Sequence, residues 1–372
     1  MIATRIPFVS LTPADDAAAV RGAIDRVVGS GRFVLGPEVE AFEAEWAAAS
    51  GAPHAVGVGN GTDAIALTLR ALGVGHGDEV ITTPLSAAYT ALAVMMIGAR
   101  PVFVDIDPIR LTIDPGKIAP AITSRTRAIL PVHLYGQPAN MNAIEKIASA
   151  HGLPIVEDCC QAHLATTDGR PVGTVGVAGA FSFYPTKNLG AIGDGGAVIT
   201  RDATLADRLR RLRNGGQTDR YRHETFGVNS RLDELQAAIL RARLPLLSSR
   251  TSKRRALASA YRAALADAAI DVPPECDPGH VYHLFVVRSR DRAWRAALEA
   301  RLAARGIETL VHSPVPIPQQ PALAGTHPAD CPVAARVCDE VLSLPIYPAL
   351  VETDVARVAA AVRDASGPKD DR

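Results

Sequence analysis

Short apolar runs alternate with amphipathic stretches through the first two thirds of the chain. The apolar runs are rich in β-branched residues and predict strands at 54–58, 79–83, 101–106, 127–132, 154–158, 180–183 and 197–200. The stretches between them predict helices at 63–72, 87–97, 115–122 and 140–151. Continuously apolar strands that alternate with helices indicate a mostly parallel sheet covered by helices. Because the last two strands follow each other without a helix, we expect the sheet to be mixed.

Helical patterns also flank this region. Thr12 and Pro13 fit the N-cap and first turn of a helix that runs to about residue 29, and a second helix covers 37–50. Beyond residue 204 the pattern predicts helices at 205–213, 231–243 and 249–268, a strand at 283–288, a helix at 293–305, a strand at 307–310 and a helix at 352–365. We therefore expect an α/β protein with a large domain over 1–245 and a smaller α+β domain over 246–372.

Composition and charge narrow the classes of function. The 372 residues include 39 Lys+Arg and 39 Asp+Glu, so the formal net charge is zero, which disfavours nucleic-acid and anionic-lipid partners. The arginines of 208–213 are interpreted as a solvated helix face. The five cysteines, two of them adjacent, match neither a disulfide framework nor a metal site. With no apolar run long enough for a bilayer and no signal-peptide pattern, we expect a cytoplasmic protein without a membrane partner.

A glycine-rich turn, residues 57–63, follows the first predicted strand and opens a helix. Backbone N–H groups at such a helix start bind anions, usually phosphate, and the hydroxyl of Thr62 can add a donor. A dinucleotide site, a single-phosphate site and a plain structural turn are the alternatives. A dinucleotide site requires an acidic residue at the end of the next strand, where this sequence has Thr82 and Thr83. Dinucleotide binding is therefore disfavoured.

Two further positions carry candidate chemistry. Asp158 ends an apolar strand, where α/β proteins place ligand contacts, although it could instead cap the following helix. Lys187 lies on a loop between proline and glycine turns, and a desolvated lysine attacks carbonyl groups. A phosphate turn, a carboxylate and a lysine in one sheet are the three groups that pyridoxal phosphate requires. His163 is interpreted as a supporting residue and is assigned no role.

Several segments recur in order along the chain at the spacing of a known family. They are 31–38 (GRFVLGPE), 59–64 (GNGTDA), 102–107 (VFVDID), 157–161 (EDCCQ), 182–187 (SFYPTK), 229–238 (NSRLDELQAA) and 342–348 (LSLPIYP). With these segments the chain resembles the DegT/DnrJ/EryC1/StrS family of pyridoxal-phosphate-dependent sugar aminotransferases, nearly from end to end. The resemblance implies the fold type I aminotransferase architecture, with a mixed, mostly parallel sheet in the large domain.

The resemblance implies roles for the residues around the cofactor, pyridoxal 5'-phosphate. Lys187 forms the Schiff-base link and then acts as general acid and base, and Asp158 keeps the pyridine nitrogen protonated. Gln161 bonds the phenolic oxygen of the ring. Gly61, Thr62 and Ser182 hold the phosphate, and Asp63 is assigned to the cofactor site as well.

The same resemblance implies a homodimer, because Asn229 matches a position that reaches the phosphate of the partner subunit. His312 and Tyr184 are assigned to substrate binding. Ala87 stands where the family usually has an aromatic residue stacked on the ring, so either that ring face is more open or Tyr89 approaches it. Two positions of the substrate loop, Ser313 and Pro318, also differ from the family pattern.

The expected enzyme moves an amino group from an amino acid to a nucleotide-linked keto sugar in amino-sugar biosynthesis. L-Glutamate is the expected amino donor. A cyclitol ketone as acceptor, a deoxysugar dehydratase and a non-catalytic cofactor-binding regulator are the alternatives. Lys187 argues against the dehydratase branch that has histidine at this position, and the scattered cysteines do not supply an iron–sulfur site. The sequence offers no basic domain that would support a regulator.

Overall fold

The computed structural model describes residues 5–12, 15–325 and 327–366. The strands are β1 His54–Val58, β2 Glu79–Thr82, β3 Arg100–Phe103, β4 Thr126–Leu130, β5 Val156–Asp158, β6 Thr166–Thr167, β7 Arg170–Pro171, β8 Ala178–Ser182, β9 Gly196–Thr200, β10 Gln217–Asp219, β11 Arg222–His223, β12 Phe285–Arg288 and β13 Val341–Leu344. The α-helices are α1 Ala17–Ser30, α2 Pro37–Ala49, α3 Gly61–Ala71, α4 Tyr89–Met96, α5 Ile118–Ala121, α6 Met141–His151, α7 Ala203–Leu212, α8 Glu234–Arg243, α9 Leu247–Ala264, α10 Arg292–Ala304, α11 Pro321–Ala324, α12 Pro332–Glu340 and α13 Glu352–Ser366.

The central sheet has the order β3-β2-β4-β5-β8-β9-β1. Its two halves, β3-β2-β4 and β5-β8-β9-β1, meet through parallel bridges from Ile129 to Ile155 and from Val132 to Asp158. All neighbours in it are parallel except those of β9, which runs antiparallel to both β8 and β1. The prediction of a mixed, mostly parallel sheet is confirmed.

Helices cover both faces of this sheet, which explains why its strands are apolar throughout. Ala180 and Val198 lie in one buried cluster with α3, whereas Phe181 and Ala197 lie in a second cluster with α2 and α8. Successive residues of a strand point to opposite faces, so each strand contributes to both clusters. The site residues that follow β5 and β8 are therefore held on a rigid, buried support.

The first helix begins later than the sequence pattern predicts. Thr12 is not its N-cap: α1 begins at Ala17 after Asp16, and Pro13 lies outside the described residues. The Asp16 side chain accepts no capping hydrogen bond, because its carboxylate pairs with the guanidinium of Arg243, with 2.8 Å between Asp16 Oδ2 and Arg243 Nε. A long-range ion pair thus outweighs the local capping signal.

The C-terminal region combines α9, α10, α12 and α13 with the antiparallel pair β12–β13. The predicted strand at 307–310 is wrong, because Ile307 and Leu310 form only isolated bridges, to Ile6 and Ser343. The helix α12 and the strand β13 that pairs with β12 were not predicted. The division into domains at residue 246 stays a prediction. Within the described ranges, no helix is both long and apolar enough to cross a membrane.

Candidate active site

The glycine-rich turn lies between β1 and α3, at the edge of the sheet where β8 ends. Asn60 caps α3 by accepting a hydrogen bond from the Asp63 N–H at 2.9 Å. A Cβ on Gly61 would lie 2.7 Å from Cys160 Sγ and 2.8 Å from Ser182 Cβ, so only glycine fits. In the described part of the chain, the N–H groups at the first two helical positions, Gly61 and Thr62, meet no acceptor. These donors suit a phosphate.

The carboxylate of Asp63 bonds to neighbouring protein groups. Its Oδ2 accepts hydrogen bonds from Ser230 Oγ at 2.6 Å and from Asn60 Nδ2 at 3.1 Å. Ser230 Oγ in turn accepts from the Gly59 N–H at 3.0 Å. Asp63 therefore ties the segment before α8 to the turn, and its negative charge has neutral donors as partners. Sequence reasoning did not identify Ser230 as a support of this turn.

A second network holds the other end of the turn. Glu43 accepts from the Gly57 N–H at 2.7 Å and also pairs with the guanidinium of Arg213. Arg213 Nη1 donates to the Gly57 carbonyl oxygen at 2.7 Å. The interpretation of Arg213 as part of a solvated face is wrong, because this side chain is buried and paired. An ion pair between distant elements leaves no local signal in the sequence.

Asp158 ends β5 and is buried, with 4% of its surface exposed. Its Oδ2 accepts from Thr90 Oγ1 at 2.8 Å, and its Oδ1 accepts from the Cys160 N–H at 3.1 Å. Thr90 also contacts Ser86, with 3.0 Å between the two hydroxyl oxygens. No basic side chain pairs with Asp158 in the described ranges. A buried carboxylate of this kind suits a cationic ligand atom.

Gln161 lies beside this carboxylate, three residues along the chain. Its Oε1 accepts a hydrogen bond from the Tyr135 N–H at 2.7 Å, where Tyr135 has a left-handed backbone with φ of +60°. Because a backbone N–H must donate, the amide orientation is set by this contact. The Nε2 donor of Gln161 is left available for a ligand oxygen.

Lys187 lies on the loop after β8 and is half-buried. Its backbone N–H donates to the Tyr184 carbonyl oxygen at 2.8 Å. Burial lowers the pKa of the Lys187 amine below its ordinary value, and the nearby Cys160 and Asp158 oppose that shift. The described residues place no carboxylate in an ion pair with this amine. A larger fraction of neutral, nucleophilic amine is the consequence.

Three histidines lie near the Lys187 amine, and burial lowers the pKa of each. His163 lies against Trp46, Phe181 and Phe183, and its Nε2 donates to the Ser182 carbonyl oxygen at 2.9 Å. Burial, with the Lys187 charge as a second cause, lowers the pKa of His163 to about 3. His163 therefore supports the end of β8. The same causes lower the pKa of His312 to about 4, and burial also lowers that of His283.

The two predicted substrate contacts lie at different depths. His312 Nδ1 lies 3.0 Å from Ser343 Oγ, and its ring packs against Phe8. Tyr184 is 52% exposed, and its backbone N–H donates to Ser182 Oγ at 3.3 Å. The hydroxyl of Ser182 is thus oriented at the end of β8, beside Gly61.

Asn229, Ala87 and Tyr89 differ from the rest of the predicted site because they are exposed. The backbone of Asn229 forms an antiparallel bridge with Asn214, next to the Ser230 contact described above. Ala87 lies two residues before α4, and Tyr89 at the start of that helix is 64% exposed.

A buried cluster of His133, Glu157 and Cys159 has ligand atoms within 4.8 Å of one another. Glu157 accepts from three backbone N–H groups, those of Gly173, Val175 and Gly176, and from His133 Nε2. His133 Nδ1 accepts from the Ala139 N–H at 3.0 Å. These protein donors satisfy both side chains, so the cluster anchors the loop before β8.

The chain resembles known proteins along nearly its whole length. The model of the DegT/DnrJ/EryC1/StrS aminotransferase family matches residues 15–363. A dTDP-3-amino-3,4,6-trideoxy-alpha-D-glucose transaminase of Streptomyces venezuelae is 50% identical and covers 97% of this chain and 96% of its own. The crystal structure of S. venezuelae DesV in complex with a ketimine intermediate has a TM-score of 0.94 at 50% identity, covering 98% of this chain and 100% of that chain.

A third relative was solved with a cofactor. The crystal structure of NtdA from Bacillus subtilis with bound PMP has a TM-score of 0.90 at 32% identity, over 97% of this chain and 86% of that chain. Pyridoxal phosphate is the cofactor of this fold type I architecture, and the donors and carboxylate described above fit it. The chain belongs to the DegT/DnrJ/EryC1/StrS aminotransferase family.

Proposed function

We propose that this aminotransferase moves an amino group from L-glutamate to a nucleotide-linked keto sugar in amino-sugar biosynthesis. The observation that carries the proposal is Asp158, a buried carboxylate with no cationic partner among the described residues, near Lys187, an amine of lowered pKa. The name of the S. venezuelae relative, a dTDP-amino-sugar transaminase, supports this substrate class. The family match and this name favour it over a cyclitol ketone acceptor, a dehydratase and a regulator.

The roles of the cofactor contacts follow from their free donors and acceptors. Gly61 and Thr62 would hold the phosphate with their N–H groups, and the Ser182 hydroxyl would add a third donor. Gln161 Nε2 would donate to the phenolic oxygen, and Asp158 would hold the protonated ring nitrogen. Asp63 contributes by positioning the turn.

Lys187 carries the proton chemistry. When bound, the cofactor supplies a ring that withdraws electron density from the carbon bearing the amino group. The Lys187 amine, neutral in part because its pKa is lowered, would take the proton from that carbon and return it to the carbon on the other side of the same nitrogen. Asp158 sustains the ring's pull by keeping a negative charge beside the ring nitrogen.

The working form is a homodimer with shared sites, in which Asn229 contacts the phosphate of the partner subunit. Asn229 is exposed, and the segment before it carries large exposed apolar side chains, Tyr221 at 80% and Phe226 at 87%. Apolar side chains grouped in this way are typical of protein interfaces. We assign His312 and Tyr184 to the sugar nucleotide. The five free cysteines fit the cytoplasm.

The test is incubation of the cofactor-loaded protein with L-glutamate and a panel of nucleotide-linked keto sugars, with release of 2-oxoglutarate as the readout. We expect continuous release of 2-oxoglutarate with at least one dTDP- or UDP-linked keto sugar. Without an acceptor, we expect at most one 2-oxoglutarate per active site. Failure with every sugar of the panel, together with turnover of a cyclitol ketone, would contradict the proposal.

A further inference from the structure

A cavity of about 260 Å³ lies beside the lysine loop, between the N-terminal segment and α9. We call it the basic cavity, because four basic side chains line it together with Lys187: Arg243, Arg250, Lys253 and Arg254. Two acidic side chains, Asp15 and Asp16, line it as well. No role in the chemistry described above uses these residues.

The two acids are already paired, which leaves positive charge in excess. Asp16 Oδ2 lies 2.8 Å from Arg243 Nε, and Asp15 Oδ1 lies 2.6 Å from Arg250 Nη2. Lys253 is exposed on the same helix and has no ion pair in the described ranges. Besides Lys187, the cations of this cavity that have no ion pair among the described residues are therefore Lys253 and Arg254.

Arg254 is the unusual member of the group, because only 5% of it is exposed. Its Nη1 donates to three carbonyl oxygens, those of Tyr282, His283 and Ile346, at 3.2, 3.3 and 2.9 Å. Its Nε is buried and has no acceptor among the described residues. Carbonyl groups satisfy donors but carry no net charge, and a buried cation without a counter-charge is costly. Burial accordingly lowers the pKa of Arg254 to about 10.

Arg254 also stands between the basic cavity and the candidate substrate contacts. A smaller cavity of about 110 Å³ is lined by Arg254, His283 and His312, and Thr186 lines both cavities. The residue next to Thr186 is Lys187, which lines the basic cavity itself. A ligand in the basic cavity would thus lie within reach of the reacting amine and of one buried guanidinium.

We propose that the basic cavity binds a carboxylate of the amino donor, with Arg254 and Lys253 as its charged contacts. The inference rests on the proposed function and names where the donor is recognised. A carboxylate accepts bonds from guanidinium and ammonium groups and supplies the missing counter-charge. The volume favours an amino acid, because pockets for larger ligands span about 300–1,000 Å³. The acceptor's diphosphate is the other anion in the reaction, and the experiment separates the two.

The experiment measures the two half-reactions separately. L-Glutamate without acceptor is added to the loaded enzyme, and the change in cofactor absorbance gives the apparent Kd of the donor. Lys253→Gln should raise this Kd about tenfold or more, and Arg254→Lys should raise it further. In Lys253→Gln, the half-reaction of the aminated enzyme with a keto sugar nucleotide should keep its apparent Kd. Lys146→Gln, an exposed lysine on α6, is the matched control and should change neither.

Two further measurements show which carboxylate of the donor is bound and distinguish failure of this inference from failure of the proposed function. If the distal carboxylate is bound, Lys253→Gln weakens L-glutamate and leaves L-glutamine unchanged; if the α-carboxylate is bound, both weaken alike. Calorimetric binding of glutarate, which has no amino group, tests the cavity even if no amino acid reacts and the proposed function fails. An unchanged donor Kd and unchanged glutarate binding in Lys253→Gln, or a loss confined to the sugar nucleotide, would overturn the inference. Lys253 is exposed, so this arm does not depend on the folding of the Arg254 variant.

Discussion

Asp158 receives two hydrogen bonds, from the hydroxyl of Thr90 and from the backbone of Cys160. Neither donor is charged, so the carboxylate is left without a cationic partner among the described residues and can take a cationic ligand atom. Thr90 lies at the start of α4 and fixes the orientation of the carboxylate from the neighbouring element. These two hydrogen bonds therefore hold the buried carboxylate of Asp158 in a fixed orientation.

Replacing Asp158 by asparagine tests this charge. Asp158→Asn keeps the shape but removes the stabilisation of a protonated ring nitrogen. We expect the cofactor to stay bound, because the phosphate turn is unchanged, and the turnover rate to fall about a hundredfold or more. The measurements are kcat and the bound cofactor by absorbance, with Asp364→Asn on α13 as an exposed control. Activity within a few-fold of the parent would remove Asp158 from the mechanism.

The assignment of Lys187 has a direct chemical test. Because burial lowers the pKa of its amine, Lys187 is the lysine best suited to bond the cofactor's aldehyde. We expect the purified protein to be yellow and borohydride to fix the cofactor to Lys187. Peptide mapping by mass spectrometry identifies the modified residue. A label found on Lys146 or Lys253 instead would refute the assignment.

At the scale of elements, prediction succeeded where the signal is local. The helix predicted at 140–151 occurs as Met141–His151, because Asn140 caps its start and Gly152 ends it in a left-handed conformation. The strand predicted at 307–310 failed because a strand needs a neighbour along its length. Its two ends meet different partners in single bridges.

The site residues also divide into those with a local sequence signal and those without one. The turn, Asp158 and Lys187 follow strand ends and could be predicted from the sequence. Thr90 and Ser230 could not, because each acts across a contact between elements far apart in the chain. Such contacts exist only once the sheet is assembled, and the pattern of apolar and polar residues along the chain does not predict them.

The contact between the start of β2 and the loop before β4 gives a pH-dependent prediction. Glu79 accepts from Thr123 Oγ1 at 2.6 Å and from Arg125 Nη2 at 2.7 Å. Burial raises the pKa of Glu79, but these hydrogen bonds outweigh it, so the pKa lies below its ordinary value of 4.5. A depressed pKa contributes stability above 4.5 that is lost as the pH falls through the folded-state value.

We therefore expect Glu79→Gln to lower the free energy of unfolding by about 1–2 kcal/mol at neutral pH. The difference from the parent should shrink in acid, where the parent carboxylate is protonated as well. Urea unfolding at several pH values measures it, and Glu145→Gln, in a surface pair with Arg170, is the control. A difference that does not depend on pH would contradict the assignment.

At the scale of the whole molecule, the shared site can be tested with mixed dimers. Subunits with Lys187→Ala are combined with subunits carrying an inactivating substitution at Asn229. If Asn229 acts on the partner's phosphate, one site of the mixed dimer has both lesions and the other has none. Part of the activity should then return in the steady-state assay. Mixtures of each variant with itself are the controls, and no recovery after confirmed subunit exchange would leave Asn229 as a local loop residue.

The strand order also governs when the site can form during synthesis. Strand β1 has β9 as its neighbour in the sheet, and β9 is made long after β1. A nascent chain that has not reached Gly196 therefore holds β1 as an unpaired apolar segment, open to association with other chains. The turn after β1 meets Ser182 and Ser230 only when β9 has inserted between β1 and β8. Cofactor binding consequently stabilises only the completed sheet. A fragment that ends before β9 gains no stability from the cofactor.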